Sequence, residues 1–205
     1  NDRTVGELIA PAVDRVGKNG SITIEEGRTS KTALDLVEGF RFDSGYVAQA
    51  FVTDERRSVV KYEEPMFLIT DAKLDTIDQI LPSLEIAARE NKPFVIVAGD
   101  VSGQALAAFI MNSVRGTMKV AAIKAPRYGA ERIAVMEDLA LSVGATFFRA
   151  DHNKSLKDIE LGDFGRARTV EVSKHLTTIA GAPETSASAV QTQIDSLTAQ
   201  AEESD

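Results

Sequence analysis

Gly99-Asp100-Val101-Ser102-Gly103 lies between an apolar run and a helical pattern, the place where phosphate-cradling loops occur. The glycine spacing matches neither G-x-G-x-x-G nor a Walker A motif, and no Lys-Ser/Thr pair follows. The stretch therefore reads first as a tight strand-to-helix turn of small residues. Metal chemistry has little material: two histidines, His152 and His175, stand far apart, and there is no cysteine. The 31 Asp and Glu residues are scattered, with no pair that the pattern places in one apolar pocket for acid–base work. Ser102 and Ser113 have no histidine placed to activate them. Lys119, Lys124, Arg127, Tyr128 and Arg132 form a modest basic cluster with one aromatic. In a chain of net charge −8 it reads as a solvated edge or an inter-subunit ion-pair site rather than a nucleic-acid face. Nothing here makes a catalytic constellation.

What the residues do offer is apolar surface, carried by the elements around that turn. Phe94–Ala98 holds Val95, Ile96 and Val97 in an unbroken apolar run, as a strand buried on both faces does. Gly99 breaks it, Asp100 or Ser102 is placed to cap the next helix, and Gly116 ends that helix after Arg115. A helix over 102–115 spreads Phe109, Leu106, Ile110, Val114, Ala107 and Met111 over more than half its circumference. Only Gln104, Asn112 and Arg115 mark a wet side. Packing on a sheet needs a narrower stripe, so either both sides are buried within the domain or one faces a partner. A second helical pattern between Asp75 and Asn91 places Ile77, Ile80, Leu81, Leu84, Ala87 and Ala88 on one arc. Pro82 is predicted either to kink that helix or to sit in its first turn. The two helices flank one strand in sequence and are predicted to lie side by side on one sheet face. Leucine, isoleucine and methionine there would form a groove that adapts to varied partners.

The remaining chain alternates strands and helices. Thr4 to Glu7 has capping-box spacing, opening a helix through Val16, and Ser21–Glu26 and Ala33–Val37 read as a hairpin. The segment FRFDSGYVAQAF, bracketed by Gly39 and its own Gly45, reads as loop-rich. Val59–Tyr62, Met66–Thr70, Ala145–Phe148, Arg168–Ser173 and Thr177–Ile179 are strand candidates, and Glu131–Ser142 a helix stopped by Gly144. After Pro183, Ala187, Val190, Ile194, Leu197 and Ala201 step by three and four, as a last docking helix would. The pattern is mixed α/β (α+β) rather than a regular doubly wound sheet.

At 205 residues and 43% hydrophobic, the chain can bury a core. The net charge of −8, without runs of one sign, argues against nucleic acid or an anionic membrane as a partner. No apolar run reaches about 18 residues. The absence of cysteine excludes disulfide and thiolate chemistry and is compatible with a reducing compartment. A capping pattern directly after Asn1, with no initiator methionine, reads as a piece of a longer protein.

The succession VGELIAPAVDRVGKNGSITIEE, VEGFRFDSGY, ILPSLE, ENKPFVIVAGDVSGQAL, VAAIKAPRYG and DLALSVGATF resembles the group I (GroEL-type) chaperonins, in order, from about Val5 to Ile179. The resemblance implies part of an intermediate domain over 1–37 and an apical, polypeptide-binding domain over 38–205. That domain would be a β-sandwich flanked by helices, of the swivelling β/β/α type. The implied partners are non-native polypeptides, a co-chaperonin lid and, for the parent chain, a homo-oligomeric ring in the cytoplasm. ATP and Mg would belong to the parent chain's equatorial domain, leaving no cofactor and no catalysis here. The family's groove falls on Tyr46, Phe51, Leu81, Leu84, Leu106, Ile110 and Met111, with Asn112 as its polar member. Ala48, Ala50, Ser83 and Arg127 depart from the family pattern, Arg127 within a glycine-rich loop. The alternatives are a divergent relative acting without a separate lid and a nucleotide-dependent enzyme domain using the Gly99–Gly103 turn.

Overall fold

The computed structural model describes residues 39–149 and 155–181. The helix opened at Thr4, the 21–37 hairpin, the domain boundary at 37, His152 and the helical pattern after Pro183 lie outside the described residues. Three parallel strands form the centre: β3 (Met66–Thr70), β5 (Phe94–Ala98) and β7 (Val120–Lys124), with β5 in the middle. Every residue of β3 and β5 is buried, and so are all of β7 but Lys124, which is why these segments read as unbroken apolar runs. The far edge of β3 takes β8 (Phe147–Phe148) in parallel and β9 (Gly165–Arg166) antiparallel.

Between these strands run three helices, α1 (Ile77–Glu90), α2 (Gly103–Val114) and α3 (Gly129–Val143). The steps β3 to β5 and β5 to β7 move the same way across the sheet, so right-handed crossovers put α1 and α2 on one face, where they touch. The step from β7 to β8 reverses direction and carries α3 to the other face. There α3 packs against β3 and also meets β1 (Gly39–Phe42). A second, antiparallel sheet runs in the order β1, β11 (Thr177–Ala180), β10 (Thr169–Val172) and β2 (Val60–Glu63). The fold is mixed α/β, with several sheets and three α-helices among the described residues.

Three expectations are corrected. The segment read as loop-rich contains β1 and a 3-10 turn, Gln49–Phe51. Phe40-Arg41-Phe42 alternates at strand period, and that short signal is masked by the glycines around it. Helix α1 starts at Ile77 and runs through Pro82, which lies in neither its first turn nor at an end. Pro82 removes the donor to the carbonyl of Asp78, a residue on the exposed side of α1, where water can replace that bond. The strand expected over Ala145–Phe148 is only Phe147–Phe148. A two-stranded parallel sheet of β4 (Lys73–Leu74) and β6 (Asp100–Val101), beside the starts of α1 and α2, had no sequence signal.

Candidate functional site

The helices α1 and α2 are held together at their N-termini by the chain just before α1. The carbonyl of Asp75 accepts from the N–H of Gln104 (2.9 Å) and of Ala105 (3.3 Å), and that of Leu74 accepts from Ser102 N–H (2.8 Å). Gln79 braces the same segment: its Oε1 accepts from the N–H of Asp75 (3.0 Å) and Thr76 (3.1 Å), and its Nε2 donates to Lys73 O (3.3 Å). Ser102 takes the N-cap position of α2 without a side-chain bond to it, while Asp100 pairs with Lys124 at 3.3 Å. These bonds also bear on the Gly99–Gly103 turn. The second and third N–H groups of α2, those of Gln104 and Ala105, are spent on Asp75, and Gly99 is pressed so closely to Asp71 that a Cβ there would overlap its carbonyl oxygen. The turn is closely packed, with two of the first three N–H groups of α2 engaged.

On α2, Phe109 and Ala105 are fully buried, and the Phe109 ring meets Phe94 at 6.4 Å. The opposite side stays open: Met111 is 53% and Val114 70% exposed. On α1, Ile77 and Leu81 are 42% and 45% exposed. The wide apolar arc of α2 thus has one buried side and one offered to the exterior. A shallow groove of about 450 Å³ opens there, with Ile77, Ala107, Ala108 and Met111 as its apolar lining. Asn112 and Thr117 line it too but are engaged with the helix end: Asn112 Nδ2 donates to Ala108 O (2.9 Å) and Thr117 Oγ1 to Asn112 Oδ1 (3.0 Å). Gln104 and Arg115 complete the wall.

The residues singled out from the sequence divide by depth. Leu81 and Met111 reach the surface, and Leu106, Ile110, Asn112 and Tyr46 are half-buried. Leu106 and Ile110 pack partly on the core, so they are less open than a helix wheel suggests. Leu84, 8% exposed, and Phe51, 1% exposed, belong to the core and cannot form a contact surface as they stand. Leu84 shares the buried side of α1 with Ile80 and Ala87, and Phe51 sits in the 3-10 turn tucked beside β7 and α2. Tyr46 is bridged to Ile123, at the open edge of β7. Ile77, read only as part of an apolar arc, and Arg115, read only as a wet-side marker, both line the groove. Ile77 is the first residue of α1, ahead of the part that covers the sheet.

The basic cluster lies around the start of α3. Arg127 adopts a left-handed φ of 63°, a conformation that suits glycine better, and its carbonyl accepts from Arg132 Nε at 3.2 Å. The Arg132 guanidinium lies 5.2 Å from the Tyr128 ring centre, a cation–π contact that shields part of an otherwise exposed aromatic. Burial pushes the Tyr62 hydroxyl up to about 12, and it donates to Val120 O at 3.3 Å, so Tyr62 stays a neutral core group. No group of three or more His, Cys, Asp or Glu among the described residues could hold a metal ion. No helix among them is long and apolar enough to cross a membrane.

No protein-family model matches the chain. A curated relative, the chaperonin GroEL of Methanospirillum hungatei JF-1, is 45% identical over 181 residues. The match covers 88% of this chain and 34% of the relative, so the chain spans about a third of the length of the curated relative it matches. At that identity over nearly all of its length, the chain belongs to the GroEL-type chaperonins as a fragment of one.

Proposed function

We propose that this chain is the polypeptide-capturing, apical part of an ATP-driven folding machine, holding non-native segments along the groove of α1 and α2. The observation that carries this is the exposure of Ile77, Leu81, Met111 and Val114 on two adjacent helices whose other sides are firmly packed. Aliphatic surface of that kind binds without sequence demands, and Met111 reshapes at little cost, which suits unfolded clients of many sequences. So read, Tyr46, at the β7 edge, and the half-buried Leu106 and Ile110 of α2 would extend the binding surface beyond the groove, and Leu84 and Phe51 would support it from the core. On this reading residues 1–37 belong to an intermediate domain and 38–205 to the apical one.

The same groove is the proposed seat of a co-chaperonin lid. The parent protein is proposed to be a homo-oligomeric cytoplasmic ring that binds ATP and Mg. On this reading the nucleotide belongs to another part of the parent chain, and the engagement of the Ser102, Gln104 and Ala105 N–H groups by Leu74 and Asp75 supports it. Titrating the chain against a labelled, permanently unfolded reporter protein, and separately against Mg-ATP, tests the reading. Saturable binding of the reporter with no response to the nucleotide is expected. A nucleotide response abolished by substitution at Asp100, without reporter binding, would replace it with an enzyme reading.

A further inference from the structure

The charge of the groove points to which extended segments it prefers. Helix α2, Gly103–Val114, contains no ionisable residue, and the first cation after it is Arg115 at its C-cap. Arg115 is exposed and lines the groove beside Met111 and Asn112. The salt bridges among the described residues, Arg57–Glu171, Lys92–Glu64, Lys124–Asp100 and Arg149–Glu137, all lie elsewhere and leave its guanidinium uncommitted. The polar neighbours Asn112 and Thr117 are bonded to each other and to the helix, so Arg115 is the strongest donor the groove offers. The nearest acid on the α1 side in sequence is Asp78, next to Ile77, which makes that end less welcoming to an anion.

We infer that the groove selects extended apolar segments bearing a carboxylate two to four residues from an aliphatic side chain, with Arg115 as the specificity-determining cation. This rests on the groove reading above. The spacing follows from helix geometry: Met111 and Ala107 lie four and eight residues before Arg115, about 6 and 12 Å along the axis at about 1.5 Å per residue. An extended segment covers those distances in about two to four residues at about 3.3 Å each. The chain's net charge of −8 works against an acidic ligand at long range. At physiological salt, charges beyond about 8 Å are largely screened and the local cation decides.

The test uses three fluorescent eight-residue peptides that differ only in Glu, Gln or Lys placed three residues from a leucine. They are titrated by anisotropy at physiological salt into the whole chain and its Arg115→Gln and Arg115→Lys variants. The wild-type chain is expected to bind the Glu peptide about two- to fivefold tighter than the Gln peptide, the range of an exposed ion pair, and the Lys peptide less well than either. Arg115→Gln should erase the ranking, bringing the three peptides to within about twofold of one another whatever their common affinity, and Arg115→Lys should keep the preference for Glu. Equal affinity of wild type for Glu and Gln peptides, or a preference that survives in Arg115→Gln, overturns the inference while the groove reading stands. Failure of every peptide to bind overturns the groove reading and the inference with it.

Discussion

Replacing Met111 by glutamine separates binding surface from core more sharply than any other single change. Glutamine keeps the length and nearly the helix propensity of methionine, so α2 itself should be undisturbed. Full burial of a methionine side chain is worth about 1.5–3 kcal/mol. Met111 retains 53% of its exposure for a partner to cover, which leaves about 0.8–1.6 kcal/mol available. That is about four- to fifteenfold in affinity, and ordering of the side chain on binding brings it to about three- to tenfold. Phe109→Ala is the control, since its ring is fully buried beside Phe94 and its loss should cost about 3–5 kcal/mol of folding stability. The assays are anisotropy with an apolar peptide and thermal unfolding followed by circular dichroism. Met111→Gln should weaken binding at an unchanged melting temperature. Unchanged binding, or a melting temperature lowered as far as that of Phe109→Ala, would refute the reasoning.

Gly99→Ala should lower the melting temperature by several degrees, because its Cβ meets the Asp71 backbone carbonyl and overpacking of this kind costs about 1–3 kcal/mol; a shift under about 1 °C would contradict it. Gln79→Leu removes three hydrogen bonds that brace the start of α1 and should cost about 1 kcal/mol in thermal unfolding and weaken peptide binding through Ile77. Gln79→Glu retains the acceptor for Asp75 and Thr76 and should restore most of both. The Asp138 carboxyl is raised above its ordinary value by burial and, secondarily, by Glu137. Folding therefore favours its protonated form, and its ionisation lowers stability as pH rises from the unfolded pKa through the folded one. Asp138→Asn should be slightly more stable than wild type at pH 7, with the gain gone at pH 3; a gain that persists or grows in acid would oppose this assignment of charge.

The core was legible where composition is uniform. Phe94–Ala98 is apolar throughout and Met66–Thr70 apolar up to its last residue because both faces of their strands are covered, and their shortness, with the β-branched residues in Phe94–Ala98, favours strand over buried helix. The adjacency of α1 and α2 followed from the shared strand. What sequence could not supply was the rotation of α1. Ser83 is buried with its hydroxyl donating to Ile80 O at 2.6 Å, a local bond that makes a polar residue acceptable in the core. The single arc from Ile77 to Ala88 therefore does not separate the exposed Ile77 and Leu81 from the buried Ile80, Leu84 and Ala87. The depth of Phe51 was hidden for a different reason. Its depth depends on the 3-10 turn reaching across β7, a contact between segments some 70 residues apart in the sequence. The small β4–β6 sheet has two residues per strand, too few for any periodicity to register.

The most direct test of the central claim places a photo-crosslinking amino acid at position 111 and, in a second variant, at position 61. Lys61 lies on the outward face of β2, in the antiparallel sheet, and is exposed like Met111 but remote in sequence and element from the groove. Each variant is irradiated with an unfolded reporter protein, with and without excess apolar peptide. Crosslinks from position 111 that the peptide suppresses, with little from position 61, are the expected result. Equal crosslinking from both positions, or none from 111, would contradict capture along the α1–α2 groove.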